Sequence, residues 1–153
     1  MSLQFVADIH RIAGRLAAVV EAAGRNGGSA SDVFALATLR ENDLCDIATL
    51  QNRLAVPPST LSSILNRLEK GGLMQRRTSV RDRRTFDLVL TPEGRARAEQ
   101  ARNFLEHLED QMTGQLSYGQ VIAFTEVIEA LEKTLVEEKA SSQRMVRGAS
   151  TSG

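Results

Sequence analysis

The 153-residue chain has no tryptophan, five phenylalanines and one tyrosine. So few rings argue against a platform for stacking unpaired bases, which needs several exposed aromatics. Cys45 is the only cysteine, so no disulfide can close within the chain, which fits a reducing compartment and leads us to expect a cytoplasmic protein. No apolar run approaches the ~18 residues that would suggest a membrane span. The first residues do not place a basic stretch before an uninterrupted apolar one, so no signal peptide is expected. His10 and His107 stand alone in sequence, and no cluster of Cys, His and carboxylates has metal-ligand spacing. There is also no nucleophile elbow, phosphate loop or paired catalytic carboxylate. We therefore expect no metal, no cofactor and no enzymatic activity.

Net charge is missing too, with 19 Lys and Arg against 19 Asp and Glu. That balance conceals an asymmetry. Residues 67–102 hold ten Lys and Arg against five acids, whereas residues 103–139 hold two Lys against eight acids. The local field, not the sum, decides where a polyanion docks. Composition is otherwise ordinary for one compact domain, at 42% hydrophobic and 25% charged.

The periodicity predicts a mostly helical fold with a small β-hairpin. Phe5, Ile9, Ile12, Leu16, Val19, Val20 and Ala23 recur at helical spacing over residues 3–23. A loop over 24–29 comes next, and Ser29 or Ser31 can cap a helix over 31–41. Asp46 is the candidate cap of a short helix ending near Ala55, with Ile47, Leu50 and Leu54 as its stripe. Pro57 stops that helix, and Pro58 or Ser59 suits the first turn of the next, which Gly71-Gly72 closes. Along residues 59–70, Leu61, Ile64, Leu65 and Leu68 share one face, while Ser59, Ser62, Ser63, Asn66 and Lys70 lie opposite with Arg67 at the edge. Residues 73–77 and 85–90 read as two strands around a tip over 78–84. Thr91-Pro92-Glu93 opens a long helix, and Ser117 to Gln120 forms a capping box for a last one. Residues 140–153 lack periodicity and are expected to form a disordered tail.

Two short helices joined by a proline-containing turn match helix-turn-helix geometry, in which the second helix enters a major groove. Hydroxyls at Ser59, Thr60, Ser62 and Ser63 can meet phosphates or base edges, and Asn66 can pair with adenine in a bidentate way. Arg67 or Lys70 would add phosphate or guanine contacts. Arg76, Arg77, Arg81, Arg83 and Arg84 crowd the hairpin, with only Asp82 opposing them. Guanidiniums that close repel one another unless a polyanion neutralises them, and an arginine on a thin tip can enter a minor groove. A merely solvated helix face and a solubilising charged loop are the plain alternatives.

The segment from Asp46 to Gly94 resembles the winged-helix core of MarR-type regulators. The stretch PPSTLSSILNRLEKGGL is similar to that family's recognition helix and its glycine exit. Asp82-Arg83-Arg84 followed by Leu90-Thr91 matches the wing pattern of Asp, any residue, Arg, five residues, then Leu-Thr. The resemblance implies that Arg84 enters the minor groove, that Asp82 orients it by a charge-assisted hydrogen bond, and that Ser59, Thr60, Ser62, Ser63 and Asn66 face the major groove. Where Ser63 stands the family often has a basic or larger polar residue, which shifts the expected specificity toward shape readout and wing contacts.

The implied protein is a winged helix-turn-helix flanked by dimerisation helices. Residues 1–139 form a single domain, with the DNA-binding core at about 31–91 and dimerisation helices at 3–24 and 92–139. Its expected partners are double-stranded DNA and a second copy of itself. The resemblance further implies a repressor acting on a pseudo-palindromic operator, released by a small anionic or aromatic effector. The rival is a winged-helix module that binds a protein, or nucleic acid without sequence preference. Asp43 and Asp46 beside Cys45 should raise its thiol pKa and argue against redox sensing.

Overall fold

The protein is described by a computed structural model covering residues 4–24, 28–41, 45–79 and 84–149, with side chains as far as Ser142. The elements run α1 (Gln4–Ala23), α2 (Ala30–Glu41), β1 (Cys45–Asp46), α3 (Ile47–Leu54), α4 (Pro58–Lys70), β2 (Met74–Thr78), β3 (Phe86–Leu90), α5 (Pro92–Thr113) and α6 (Tyr118–Ala149). The chain divides into two units, Met1–Leu108 and Glu109–Gly153.

In the first unit α2, α3 and α5 begin where a side chain accepts from an orphan amide. Ser29 and Asp32 cap α2 reciprocally: the Asp32 amide donates to Ser29 Oγ at 3.3 Å, and the Ser29 amide to Asp32 Oδ2 at 3.0 Å. Asp46 caps α3 by accepting from the Thr49 amide at 2.7 Å. Ala55 then turns the chain in the left-handed region, at φ 51°. Pro57 sits at the cap of α4 with Pro58 inside its first turn, where a missing N–H costs nothing.

The greasy face of α4 is buried as the sequence predicts. Leu61, Ile64, Leu65 and Leu68 join Leu36, Leu39, Leu50, Met74, Leu88, Leu90 and Ala98 in one core. A smaller cluster of Val20, Ala30 and Val33 packs with Leu16, Phe34, Phe104 and Leu105.

The sheet corrects the expectation of two strands. It has three, in the order β1-β3-β2, all antiparallel, with Cys45 opposite Leu88 and Met74 opposite Leu90. A two-residue strand is too short to show alternation, so β1 left no periodic signal. Phe86 alternates with Asp87 and Val89 onto the same side of β3 as the buried Leu88 and Leu90, yet it is 46% exposed. It pairs with Thr78 at the far end of the hairpin, which projects beyond the core.

Thr91 fastens this hairpin to the first turn of α5. Its amide donates to the Leu73 carbonyl at 3.0 Å, its Oγ1 to the Gly72 carbonyl at 2.6 Å, and the Gly94 amide donates to its Oγ1 at 3.0 Å.

In the second unit the capping box is present: the Ser117 amide donates to Gln120 Oε1 at 2.8 Å, and the Gln120 amide to Ser117 Oγ at 3.4 Å. The helix it starts continues to Ala149, so residues 140–149, expected without order, are helical. Gln143, Arg144, Met145 and Arg147 are adequate helix formers, although no apolar repeat marks them. Among the described residues no helix is long and apolar enough to cross a membrane.

Candidate nucleic-acid interface

The polar side of α4 is open along its length. Ser59, Thr60, Ser62, Ser63, Asn66, Arg67, Glu69 and Lys70 are all exposed, while the four apolar residues beneath them fix the helix to the core. That combination holds short hydrogen-bonding side chains on a rigid support. Ser63 Oγ donates to the Ser59 carbonyl one turn back at 3.1 Å, leaving its lone pairs outward.

The cations around this helix are more engaged than their spacing suggests. Arg67 Nε donates to Asp32 Oδ2 at 3.1 Å and its Nη2 to Oδ1 at 2.7 Å, a two-pronged pair that ties α4 to the start of α2. The same Nη2 reaches Ser29 Oγ at 3.3 Å. Asp32 is buried and meets Arg67 while completing the cap of its own helix. Arg76 is the second engaged cation: its Nη2 donates to Asn66 Oδ1 at 3.0 Å and its Nη1 lies 3.2 Å from Glu69 Oε2. Two of the arginines expected to await a polyanion therefore have internal acidic partners. Sequence reasoning missed Asp32 and Glu69. The Ser-x-x-Asp spacing at 29–32 was the one available signal, and it pointed to a cap without revealing Arg67, 35 positions away.

In the hairpin, Arg77 and Arg84 are exposed, and the Ser79 amide donates to the Thr85 carbonyl at 3.0 Å to close the loop. Arg81, Asp82 and Arg83 lie outside the described residues, as does Asp43.

A groove of about 980 Å³ opens behind α4, lined by Asp32, Arg67, Glu93, Arg97 and Phe104 among others. Cys45 is buried in the core. Burial pushes its thiol up, and the Asp46 charge adds to the rise. The neighbouring carboxylate does act as expected, but desolvation is the larger cause. Among the described residues, no group of three His, Cys, Asp or Glu side chains could hold a metal ion.

Residues 29–86, from the cap of α2 to the first residue of β3, match the model of the MarR family. Over 98 residues the chain is 30% identical to the uncharacterized HTH-type transcriptional regulator YwhA of Bacillus subtilis, covering 64% of this chain and 70% of that one. The chain belongs to the MarR family. A second relative from the same organism, the HTH-type transcriptional repressor MdtR, is 30% identical over 82 residues, 54% of this chain. Here the chain spans only about half of the relative, 53% of its length. The fold extends over more of the molecule than the sequence similarity does. FabT of Streptococcus pneumoniae, solved in complex with DNA, superposes with a TM-score of 0.70 at 19% identity, covering 89% of this chain and 99% of that one. The architecture is thus the family's winged helix-turn-helix, with α3 and α4 as the helix pair and β2–β3 as the wing.

Proposed function

We propose that this MarR-family chain is a transcriptional regulator that binds double-stranded DNA at specific sites as a homodimer. The observation that carries it is the joint placement of an exposed hydroxyl and amide face on α4 and an arginine-bearing hairpin fastened directly after it. Ser59, Thr60, Ser62, Ser63 and Asn66 serve the major groove. Arg84, with Arg81, Asp82 and Arg83 of the hairpin tip, serves the adjacent minor groove. Arg67 and Arg76 support the helix from the protein side. MdtR is a repressor and FabT is bound to DNA in its solved form; by that likeness repression is the proposed outcome of binding.

Dimerisation is supported by apolar surface that one chain leaves open. Phe5, Val6, Ile9 and Ile12 of α1, and Phe124, Val127, Ile128, Leu135 and Val136 of α6, are each between 43% and 69% exposed. On each helix, exposed apolar surface of this kind marks an interaction site. Two copies would set two recognition helices about 34 Å apart, one turn of DNA. The groove is of a size that suits a small effector, and its largely apolar lining with Phe104, edged by Arg67 and Arg97, suits an aromatic molecule that carries an anionic group. Contact with Arg67 and Leu68 of α4 would let an occupant shift the recognition helix and release DNA.

Selection of bound sequences from random duplex DNA tests this directly. The expected result is a pseudo-palindromic site whose affinity falls steeply with salt. Binding that depends on salt but shows no preferred sequence would favour a nonspecific module instead.

A further inference from the structure

We infer that Arg76 is a positioning residue that acts through Glu69: it keeps the one acid of α4 neutralised beside the wing, so that the polar face of this helix can be laid against a phosphate chain. This rests on the DNA-binding role proposed above. Glu69 is the single Asp or Glu of residues 58–70. It follows Asn66 by three positions, so it shares the exposed stripe of α4 with the groups assigned to the major groove. That place is unfavourable twice over. A carboxylate in the last turn of a helix opposes the helix dipole, and on this stripe it would also face a polyanion. Side chains alternate along a strand, so Met74, Arg76 and Thr78 share one side of β2, and Gln75 and Arg77 the other. Met74 is buried with Leu65 and Leu68 of α4. Arg76 therefore emerges over α4, which is why it and not Arg77 reaches Glu69.

Arg76 Nη1 lies 3.2 Å from Glu69 Oε2, and its Nη2 donates to Asn66 Oδ1 at 3.0 Å. Two acceptors one turn apart thus hold the guanidinium on the helix. The Arg76 side chain is 30% exposed and that of Glu69 40%. In the free protein such a pair adds little to folding, because water screens both charges. Docking changes the balance. As α4 enters a groove, water leaves, and an unpaired carboxylate on this stripe would lie within a Debye length of the phosphates, about 8 Å at physiological salt. Like charges set against each other across an interface are costly. Paired with Arg76, the carboxylate brings no net charge to that surface, and attraction is left to Lys70, Arg77 and Arg84, all exposed. The guanidinium keeps further hydrogens, so direct contact with a phosphate is the competing role. A change that removes both charges together separates the two.

The test is a set of titrations over several salt concentrations, on the duplex selected by the wild-type protein, with three variants. Arg76→Gln leaves Glu69 unpaired and should weaken binding about ten-fold or more. Adding Glu69→Gln to Arg76→Gln removes both charges and should restore affinity to within about three-fold of wild type, with the wild-type salt slope. Glu69→Gln alone should bind at least as tightly as wild type, since the guanidinium stays and loses its acid. Urea midpoints should hardly move across the three. If Arg76 chiefly held a phosphate, the double variant would stay as weak as Arg76→Gln, and its salt slope would fall by about 0.9. If the pair chiefly held the hairpin against α4, Glu69→Gln alone would weaken binding. Either result would overturn the inference, as would an Arg76→Gln variant that binds like wild type. The Glu69→Gln measurement needs no change at Arg76, so it stands even if that change disturbs the hairpin. Selection of no sequence at all would instead overturn the DNA-binding role itself.

Discussion

Ile64 in α4 and Leu135 in α6 are both apolar residues on helical stripes, yet Ile64 is fully buried and Leu135 is 69% exposed. The contrast holds for the elements around them. The part built from α2 to β3 closes most of its apolar residues inside one chain, with four of them buried on α4 alone. On α1 only Val20 is buried, and on α6 no described side chain is. An amphipathic pattern states that a face will be covered but not by which chain. In α4 the cover is the rest of the same protomer. For α1 and α6 we propose that it is a second copy.

The largest effect should come from the joint that completes the closed unit. At Gly94, in the first turn of α5, an added Cβ would collide with the Leu73 carbonyl, whose carbon would lie 2.7 Å away. Both partners are backbone, so no side chain can yield. Gly94→Ala should cost about 4 kcal/mol or more of unfolding free energy, in the class of severe overpacking. Urea denaturation measures it. A loss near that of an ordinary surface change would show that α5 can slide away from the wing, and that the unit is less closed than its contacts indicate.

The contrast itself is tested by one chemical change made in both regions. Ile64→Ala should cost about 3 kcal/mol through a cavity in the core, independent of protein concentration. Leu135→Ala should cost within about 0.5 kcal/mol for the isolated protomer and should instead weaken self-association, read by sedimentation equilibrium. Equal losses from the two substitutions at concentrations where only monomer exists would erase the distinction.

A third change probes the exposed part of the closed unit, where function and folding separate. Arg84→Ala should leave the urea midpoint and the dimer unchanged while weakening binding to the selected DNA site by about 2 kcal/mol, the usual worth of a groove contact. Unchanged affinity would remove this arginine from the interface.

Legibility in the sequence divides along the same line. The helices, the face of α4 and the box at Ser117 and Gln120 were legible because their signals span three or four residues. In the wing pattern, Leu90 and Thr91 are structural: one is buried in the core and the other ties the hairpin to α5. Long-range partners were not legible. The Asp32–Arg67 pair spans 35 positions, and the Arg76–Asn66 contact depends on a strand register that no local pattern states. The strand at Cys45 and Asp46 exists only because Leu88 and Asp87 lie opposite. Without knowing that burial, the sequence assigned the raised thiol pKa of Cys45 to carboxylate charge when desolvation is the larger cause.

A further effect lies where that short strand meets α3, and its sign comes from the cap. The hydrogen bond from Thr49 holds the Asp46 carboxyl below its usual 3.8. A carboxylate whose folded pKa is lowered contributes stability that is present above the unfolded pKa and drains away as pH falls through the folded one. Asp46→Ala should therefore cost about 1 kcal/mol near neutral pH, the worth of a typical cap. The gap from wild type should narrow only below about pH 4, where the wild-type carboxylate takes up its proton. Asp46→Asn keeps an acceptor and has no charge to lose, so its stability should follow that of wild type near neutrality and vary less in acid. Urea midpoints for the three proteins across pH 2.5 to 7 decide the matter. If the Asp46→Ala gap stayed constant down to pH 2.5, the ionised carboxylate would not be what starts α3, and the register of the strand before it would need another explanation.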